Sequence, residues 1–306
     1  MKIPDNYIQM KNCPFKVILL LLIIVACLNV RAEQIDNSTI FKIKDTVKDK
    51  ETKKLLRQEE RIQLRQSHNR FGLKFSYVYA FLDTEVSFEL PQGNLNSTLS
   101  LEQNLGLPKN SYFFTGSFLY RITPRSGIYA QYYGINRSEN SQTDRQFIFK
   151  NDTIPAGTDI EVYFNTQVIS AGYLLSVLRD PNAFLGFYFN IYFMILETGV
   201  KSDQGSINSN VELIAPLPNF GIVASFKLNK WLYLDGEIGF FSLHTSTFGG
   251  SLHNFNLSLM ARPIRWLGIN LSYQEFDVRM EFPSEDINTV VDYNFRGPAI
   301  GLSFFF

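Results

Sequence analysis

A transmembrane antiparallel β-barrel is the fold class this sequence predicts, and three observations predict it. From Phe71 to the C-terminus apolar residues recur with a period of two, in long runs broken by turn signals. The breaks alternate between short and long. The chain ends on Phe304-Phe305-Phe306, an ending that a frayed terminus would expose to water. A soluble sheet alternates too, so a secreted soluble barrel is the competing fold.

Composition narrows the classes. The 306 residues carry 29 Lys+Arg against 29 Asp+Glu, so no net field steers the chain to nucleic acid, and no basic patch with interleaved aromatics is present in the barrel region. Twenty-eight Phe and 15 Tyr suit strands and interfacial girdles. Mean hydropathy close to neutral argues against a helical membrane bundle and fits alternating strands. Cys13 and Cys27 both precede the strand region, so the mature chain is expected to hold no disulfide and no thiol metal site. With no Gly-rich phosphate loop and no metal-spaced His/Cys cluster, no cofactor or metal is expected.

Residues 1–32 read as a signal peptide. A basic stretch, Lys11 to Lys16, precedes the apolar run Val17–Ala26, and Val30-Arg-Ala32 offers a small-residue cleavage site. Met10 gives a more ordinary start than Met1. Ile24-Val-Ala-Cys27 also matches a lipoprotein box, with Cys27 as the lipidated residue, while the apolar run is too short for a spanning anchor. Residues 33–69 form a charged periplasmic segment. Its stretch from Lys48 to Arg65 lacks Gly and Pro, and Leu55, Leu56, Ile62 and Leu64 make a thin apolar stripe. A solvated, partly helical linker is the plain reading, and contact with peptidoglycan or a periplasmic partner the functional one.

The barrel occupies 70–306. In its first strand Phe71, Leu73, Phe75, Tyr77, Tyr79 and Phe81 share one face, against Gly72, Lys74 and Ser76. The apolar parity then moves to Val86, Phe88 and Leu90, which predicts a bulge near Asp83-Thr84. Further strands fall at about 112–123, 127–139, 158–178, 183–200, 210–228, 231–245, 251–263, 265–280 and 290–306, ten in all, with eight or twelve as alternatives. Thr123–Gly127, Arg179–Asn182, Leu228–Lys230 and Arg262–Arg265 are short turns; 91–111, 140–157, 201–209, 246–250 and 281–289 are longer links. Short periplasmic turns and long extracellular loops have this asymmetry. Pro216 and Pro218 predict a kink or bulge in their strand.

In the last strand Ile300, Leu302, Phe304 and Phe306 share one face. This stretch resembles the C-terminal strand of Gram-negative outer-membrane proteins. The resemblance implies that those four residues form the signal read by the barrel-assembly machinery, with outer-membrane lipid and lipopolysaccharide as surroundings. The chain as a whole resembles uncharacterised bacterial outer-membrane β-barrels, an impression strengthened by Ala215-Pro-Leu-Pro-Asn-Phe-Gly221. It implies location and fold, and brings no activity.

By parity the lumen-facing set is Lys74, Arg121, Tyr129, Gln131, Tyr133, Gln167, Tyr188, Asn190, Lys227, Asp235, Glu237, Asn256 and Arg262. A barrel of this size is only slightly wider than eight-stranded ones filled by side chains, so a hydrogen-bonded internal network is the first reading. A narrow pore or small-solute site lined by the same residues, with Asp235 and Glu237 as a carboxylate pair, is the second. A third reading is enzymatic. His244-Thr-Ser246 has the His-x-Ser spacing of outer-membrane phospholipase A and lipid A deacylase, which resemblance would make His244 the base and Ser246 the nucleophile. The next strand supplies Phe255, Leu257 and Ser258 where an Asn or Glu is needed, and Glu212 is a distant substitute. The expected role is therefore structural or binding, not enzymatic, with the loops at 91–111 and 140–157 as contact surface.

Overall fold

The computed structural model describes residues 70–89, 96–104, 106–142, 147–149, 152–154, 157–180, 182–202, 208–245, 248–283 and 288–306. The leader, the charged segment 33–69 and Cys27 lie outside them. The described elements are β1 (Phe71–Glu89), β2 (Asn96–Ser100), α1 (Leu101–Asn104), β3 (Asn110–Arg121), β4 (Ser126–Gln142), β5 (Phe147–Phe149), β6 (Asp152–Ile154), β7 (Asp159–Arg179), β8 (Ala183–Ser202), β9 (Asn208–Lys227), β10 (Leu232–His244), β11 (Gly249–Ile264), β12 (Leu267–Phe282) and β13 (Asn288–Phe305). Ten of them, β1, β3, β4 and β7 to β13, pair with sequence neighbours, and β13 pairs with β1 to close the ring. The short β2 adds to the outer end of β1, and β5–β6 is a separate hairpin between β4 and β7.

The register fixes the barrel's shape. Following Cα partners once around, from Lys227 through Tyr233, Met260, Asn270, Gly301, Ser76, Thr115, Tyr133, Val168 and Met194, returns to β9 at Ala215, twelve residues from the start. Ten strands with a shear of twelve tilt by about 40° and enclose a backbone cylinder of about 10 Å radius. Aromatic side chains reaching inward from opposite walls meet in such a cylinder.

The outward faces divide at one level. Phe75, Phe114, Ile169, Phe187, Leu271 and Ile300 are among the large apolar side chains left exposed on the wall. Going toward the long loops from the short turns, and past the turn residue Ser126, the first polar outward residue is Asp83, Asn110, Asn136, Gln167, Glu197, Glu212, Ser242, His253, Glu275 or Arg296 on the successive barrel strands. Below that ring no outward strand residue carries a charge. On β1 the apolar face runs from Phe71 to Phe81, and ten residues at this tilt rise about 25 Å, the height of a lipid-facing band. A charge at mid-band costs about 2–4 kcal/mol, so uniform avoidance on ten strands is the signature of a hydrocarbon surround. Exposed Trp231, Trp266 and Phe306 mark the band's edge at the short-turn end.

Two local expectations are corrected. The β1–β13 register keeps one offset from Gly72↔Phe305 to Glu89↔Asn288, so no bulge sits at Asp83-Thr84. Val86 points inward like Leu82 and packs on the interior core: the apolar residues move to the lumen face because the lumen itself becomes apolar there. Pro216 and Pro218 cause no register shift against β8. β10 pairs with β9 only over Phe220–Lys227, so the prolines lie beyond that ladder and remove no rung from it. The shifts occur instead at Ser176/Leu178 in β7 against β8 and at Ala261/Ile264 in β11 against β12.

Candidate functional site: the lumen and its two ends

The inward faces form two zones. Toward the long loops the lumen is an apolar core. Val78, Leu82, Ile135, Val168, Met194, Leu217, Leu252, Val278 and Met280 are all 5% exposed or less. Phe113, Tyr133, Phe276 and Phe295 interlock as an aromatic cluster, with Phe113–Phe295 centroids 5.3 Å apart and Tyr133–Phe295 5.7 Å apart. The link after β2 reaches into this core, with Leu101 and Leu107 buried. Glu102, on α1, is anchored there: its Oε1 accepts from Arg137 Nη1 at 2.5 Å and its Oε2 from the Thr84 N–H at 2.9 Å, while Arg137 Nη2 donates to Thr84 Oγ1 at 2.8 Å. Arg137 also lies 5.2 Å over the Phe164 ring. An ion pair this deep persists only because each charge is matched by the other and by hydrogen bonds.

Toward the short turns the lumen is polar and encloses a cavity. A cavity of about 180 Å³ is lined by Lys74, Thr115, Ser117, Tyr129, Gln131, Glu237, Asn254, Asn256 and Gln274, and its inner end is the aromatic cluster. Most of these residues are half-buried, whereas those above the cluster are buried. The cavity therefore opens toward the short turns and is blind toward the long loops. Lys74 on β1 lies within Coulombic reach of Asp235 and Glu237 on β10, and among the described residues it makes no contact ion pair.

Glu237 is held laterally by a network built over glycines. One row of the ladder reads Tyr188–Gly221–Gly239–Asn254 across β8 to β11. The Tyr188 side chain crosses both glycines: a Cβ at Gly221 would sit 2.3 Å from its ring carbon Cζ, and one at Gly239 2.2 Å from its hydroxyl. At the far end the Tyr188 hydroxyl meets Asn254 Oδ1 at 3.2 Å, Asn219 Nδ2 donates to the same oxygen at 2.6 Å, and Asn254 Nδ2 donates to Glu237 Oε1 at 3.1 Å. Neither glycine adopts a positive φ; they are needed for space alone.

The predicted lumen residues fall as follows. Tyr129 and Gln131 point inward and bond each other at 2.8 Å. Tyr133 is part of the aromatic seal, Asn190 is 2% exposed beside Gly172, and Asn256 lines the cavity. Arg121, Lys227 and Arg262 are inward at the short-turn end, Arg121 over Phe184 at 5.4 Å and Arg262 over Phe305 at 4.2 Å. Gln167 is a correction: it faces outward and is exposed, while its neighbour Val168 is 1% exposed inside. Polarity assigned the wrong residue to the lumen because β7 crosses the apolar zone, where the inward side chain is the greasier of the two. Sequence reasoning missed the Glu102–Arg137 pair altogether. Its partners are 35 residues apart in the chain, and no local pattern links them.

His244 is outward and exposed at the long-loop end of β10. Its carboxylate partner is not Glu212 but Glu281 on β12, with His244 Nε2 and Glu281 Oε2 at 3.2 Å. The row His244–Gly249–Glu281 explains the reach: Gly249 of β11 leaves the gap through which they meet, and a Cβ there would lie 2.9 Å from Glu281. Glu281 is shared with Arg279 at 2.8 Å, which also bonds Asp292 at 2.9 Å, so His244 ends a row of outward ion pairs above the lipid band. Ser246 lies outside the described residues.

Ring closure and an uncharged outward band together decide the class. The chain is a transmembrane β-barrel of the outer-membrane type. No family model and no curated protein matches it. Among solved structures it is similar to the outer membrane protease OmpT of Escherichia coli, at 11% identity and TM-score 0.44 over 77% of this chain and 97% of that one. It is also similar to Ail, the attachment invasion locus protein of Yersinia pestis, at 11% identity and TM-score 0.32 over 75% and 99%. The translocator domain of the autotransporter NalP of Neisseria meningitidis matches at 9% identity and TM-score 0.35 over 82% and 95%. The membrane assignment rests on this chain's own band and closure.

Proposed function

We propose that this barrel is a non-conducting outer-membrane scaffold whose role is structural or binding, with its long-loop end as the contact surface. One observation carries the reading: the long-loop half of the lumen is packed with apolar side chains and stoppered by Leu101, Leu107 and the Glu102–Arg137 pair. Ions crossing that half would shed their water with nothing to replace it. The terminal Ile300, Leu302, Phe304 and Phe306, which face lipid, are proposed as the strand read by the assembly machinery.

Planar-bilayer recording of the refolded, inserted protein tests this. The expected result is a silent membrane. Stepwise conductance whose cation preference falls in Asp235→Asn/Glu237→Gln would overturn it in favour of a pore. Hydrolysis of phospholipid esters that is lost in Ser246→Ala would replace it with the enzymatic reading, for which the His244–Glu281 contact is the supporting observation.

A further inference from the structure

The short-turn mouth of the lumen holds positive charge that forms no ion pair among the described residues. Arg121 closes β3 on the inward face. Arg179 closes β7, and by simple alternation it would point to lipid, since Val168, Ser170 and Leu174 occupy the inward parity. The bulge between Ser176 and Leu178 moves the last rung by one residue, so that Arg179 stands opposite the inward Phe184. Arg121 lies over that same phenyl ring at 5.4 Å. The two guanidiniums are near enough to repel each other. Nε and Nη1 of Arg179 are buried and have no hydrogen-bond partner, and among the described residues neither arginine forms an ion pair. Lys227 points into the same end of the lumen from β9.

Buried donors without acceptors are unfavourable, and a second like charge close by makes them more so. A bulge that turns an arginine inward toward a second arginine makes physical sense if an anion completes the group. We propose that Arg121 and Arg179 form an oxyanion site at the periplasmic mouth of the lumen, floored by Phe184, that takes a phosphate group. A phosphate offers up to two charges against two guanidiniums, and several oxygens to planar N–H forks, where a carboxylate offers one charge and two oxygens. The group has two possible carriers: a phosphate-bearing solute of the periplasm, or the headgroup of a phospholipid in the leaflet at that end. The site lies below the blind cavity and does not depend on the lumen being shut, so bilayer silence neither supports nor sinks it.

The test uses the full chain refolded in an uncharged maltoside detergent without phosphate, with unfolding followed by tryptophan fluorescence. Inorganic phosphate, against sodium chloride at equal ionic strength, is expected to raise the midpoint saturably, by about 5 °C at a hundredfold excess over Kd. Arg121→Gln and Arg179→Gln are expected to lose that rise and, without phosphate, to unfold at or above the wild-type temperature because the repulsion is gone. Arg279→Gln, on the outer wall, must keep the rise. Phosphorus analysis of protein extracted from membranes separates the carriers. Phospholipid retained by the wild type and lost from Arg179→Gln identifies a headgroup; a phosphate response with no retained lipid identifies a solute. No response and no retained phospholipid, or a response undiminished in both arginine variants, overturns the proposal.

Discussion

Replacing Gly239 by alanine puts a methyl group where three polar atoms already converge. Its Cβ would lie 2.2 Å from the Tyr188 hydroxyl, 2.3 Å from Asn254 Oδ1 and 2.4 Å from Asn219 Oδ1. Ordinary contact needs roughly a further ångström at each, so Tyr188 must leave the groove. Its ring then loses its seat over Gly221 and its bonds to Asn254. Overpacking of this kind costs about 1–3 kcal/mol, and each buried polar group left unmatched about 1–3 kcal/mol more. Alanine also restricts the unfolded chain, which offsets about 0.4–1 kcal/mol. A net loss of about 3 kcal/mol follows. Urea unfolding in lipid vesicles, read by fluorescence of Trp231 and Trp266, measures it. Gly134→Ala is the matched control, since its Cβ would face outward with Tyr132 Oη at 3.4 Å as its nearest neighbour; that change should be neutral or slightly stabilising. Tyr188→Phe removes only the hydroxyl, and in that background Gly239→Ala should cost less than it does alone. A loss below 1 kcal/mol for Gly239→Ala, or a Tyr188→Phe background that leaves its cost unchanged, would refute the glycine-seat account.

Two further outcomes follow from the same wall. Glu102→Ala leaves Arg137 charged and buried beneath α1, and should cost about 3–5 kcal/mol in the same unfolding assay, whereas Glu102→Leu/Arg137→Met should recover most of that loss; equal costs for the single and double variants would show that the pair is not the anchor. Deleting Phe306 removes an exposed end residue whose backbone N–H and C=O bond Phe71. It should lower the yield of membrane-inserted barrel in cells while changing the stability of protein refolded in vitro by no more than about 1 kcal/mol, and an unchanged cellular yield would argue against the assembly-signal role.

How much of this was legible in sequence depends on what set each feature. The outer wall was legible because lipid imposes one rule on every strand: apolar at alternate residues until the band ends. Ten strands, the alternating link lengths and the outward Ile300 and Leu302 follow from that rule. The inner wall answers to no single solvent. Near the short turns it is polar, and Lys74, Gln131 and Glu237 were placed by polarity alone. Near the long loops it is a protein core while the outward face above the band turns polar, so the polarity of the two faces inverts, which misplaced Gln167 and turned the inward Val86 into a predicted bulge. The real shift in β7 leaves no strong local mark either. Val177-Leu178 sets two apolar residues side by side, but Leu174-Leu175 just before it does the same without a shift, and only pairing with β8 shows that one residue is extra.

The features that most define this barrel's interior and rim share a device that a one-dimensional pattern hides. In the lumen Tyr188 reaches Asn254 across Gly221 and Gly239; outside, His244 reaches Glu281 across Gly249. In each case a glycine on an intervening strand turns two residues that are not ladder neighbours into contacts. Such glycines read in sequence as weak points, since glycine in a strand lacks a side chain to pack. In the ladder they are where the wall is tied across its strands. The lumen therefore has lateral ties and an apolar stopper above, and below them arginines that form no ion pair among the described residues. That asymmetry is what the proposed non-conducting role requires of one end and the proposed phosphate site of the other.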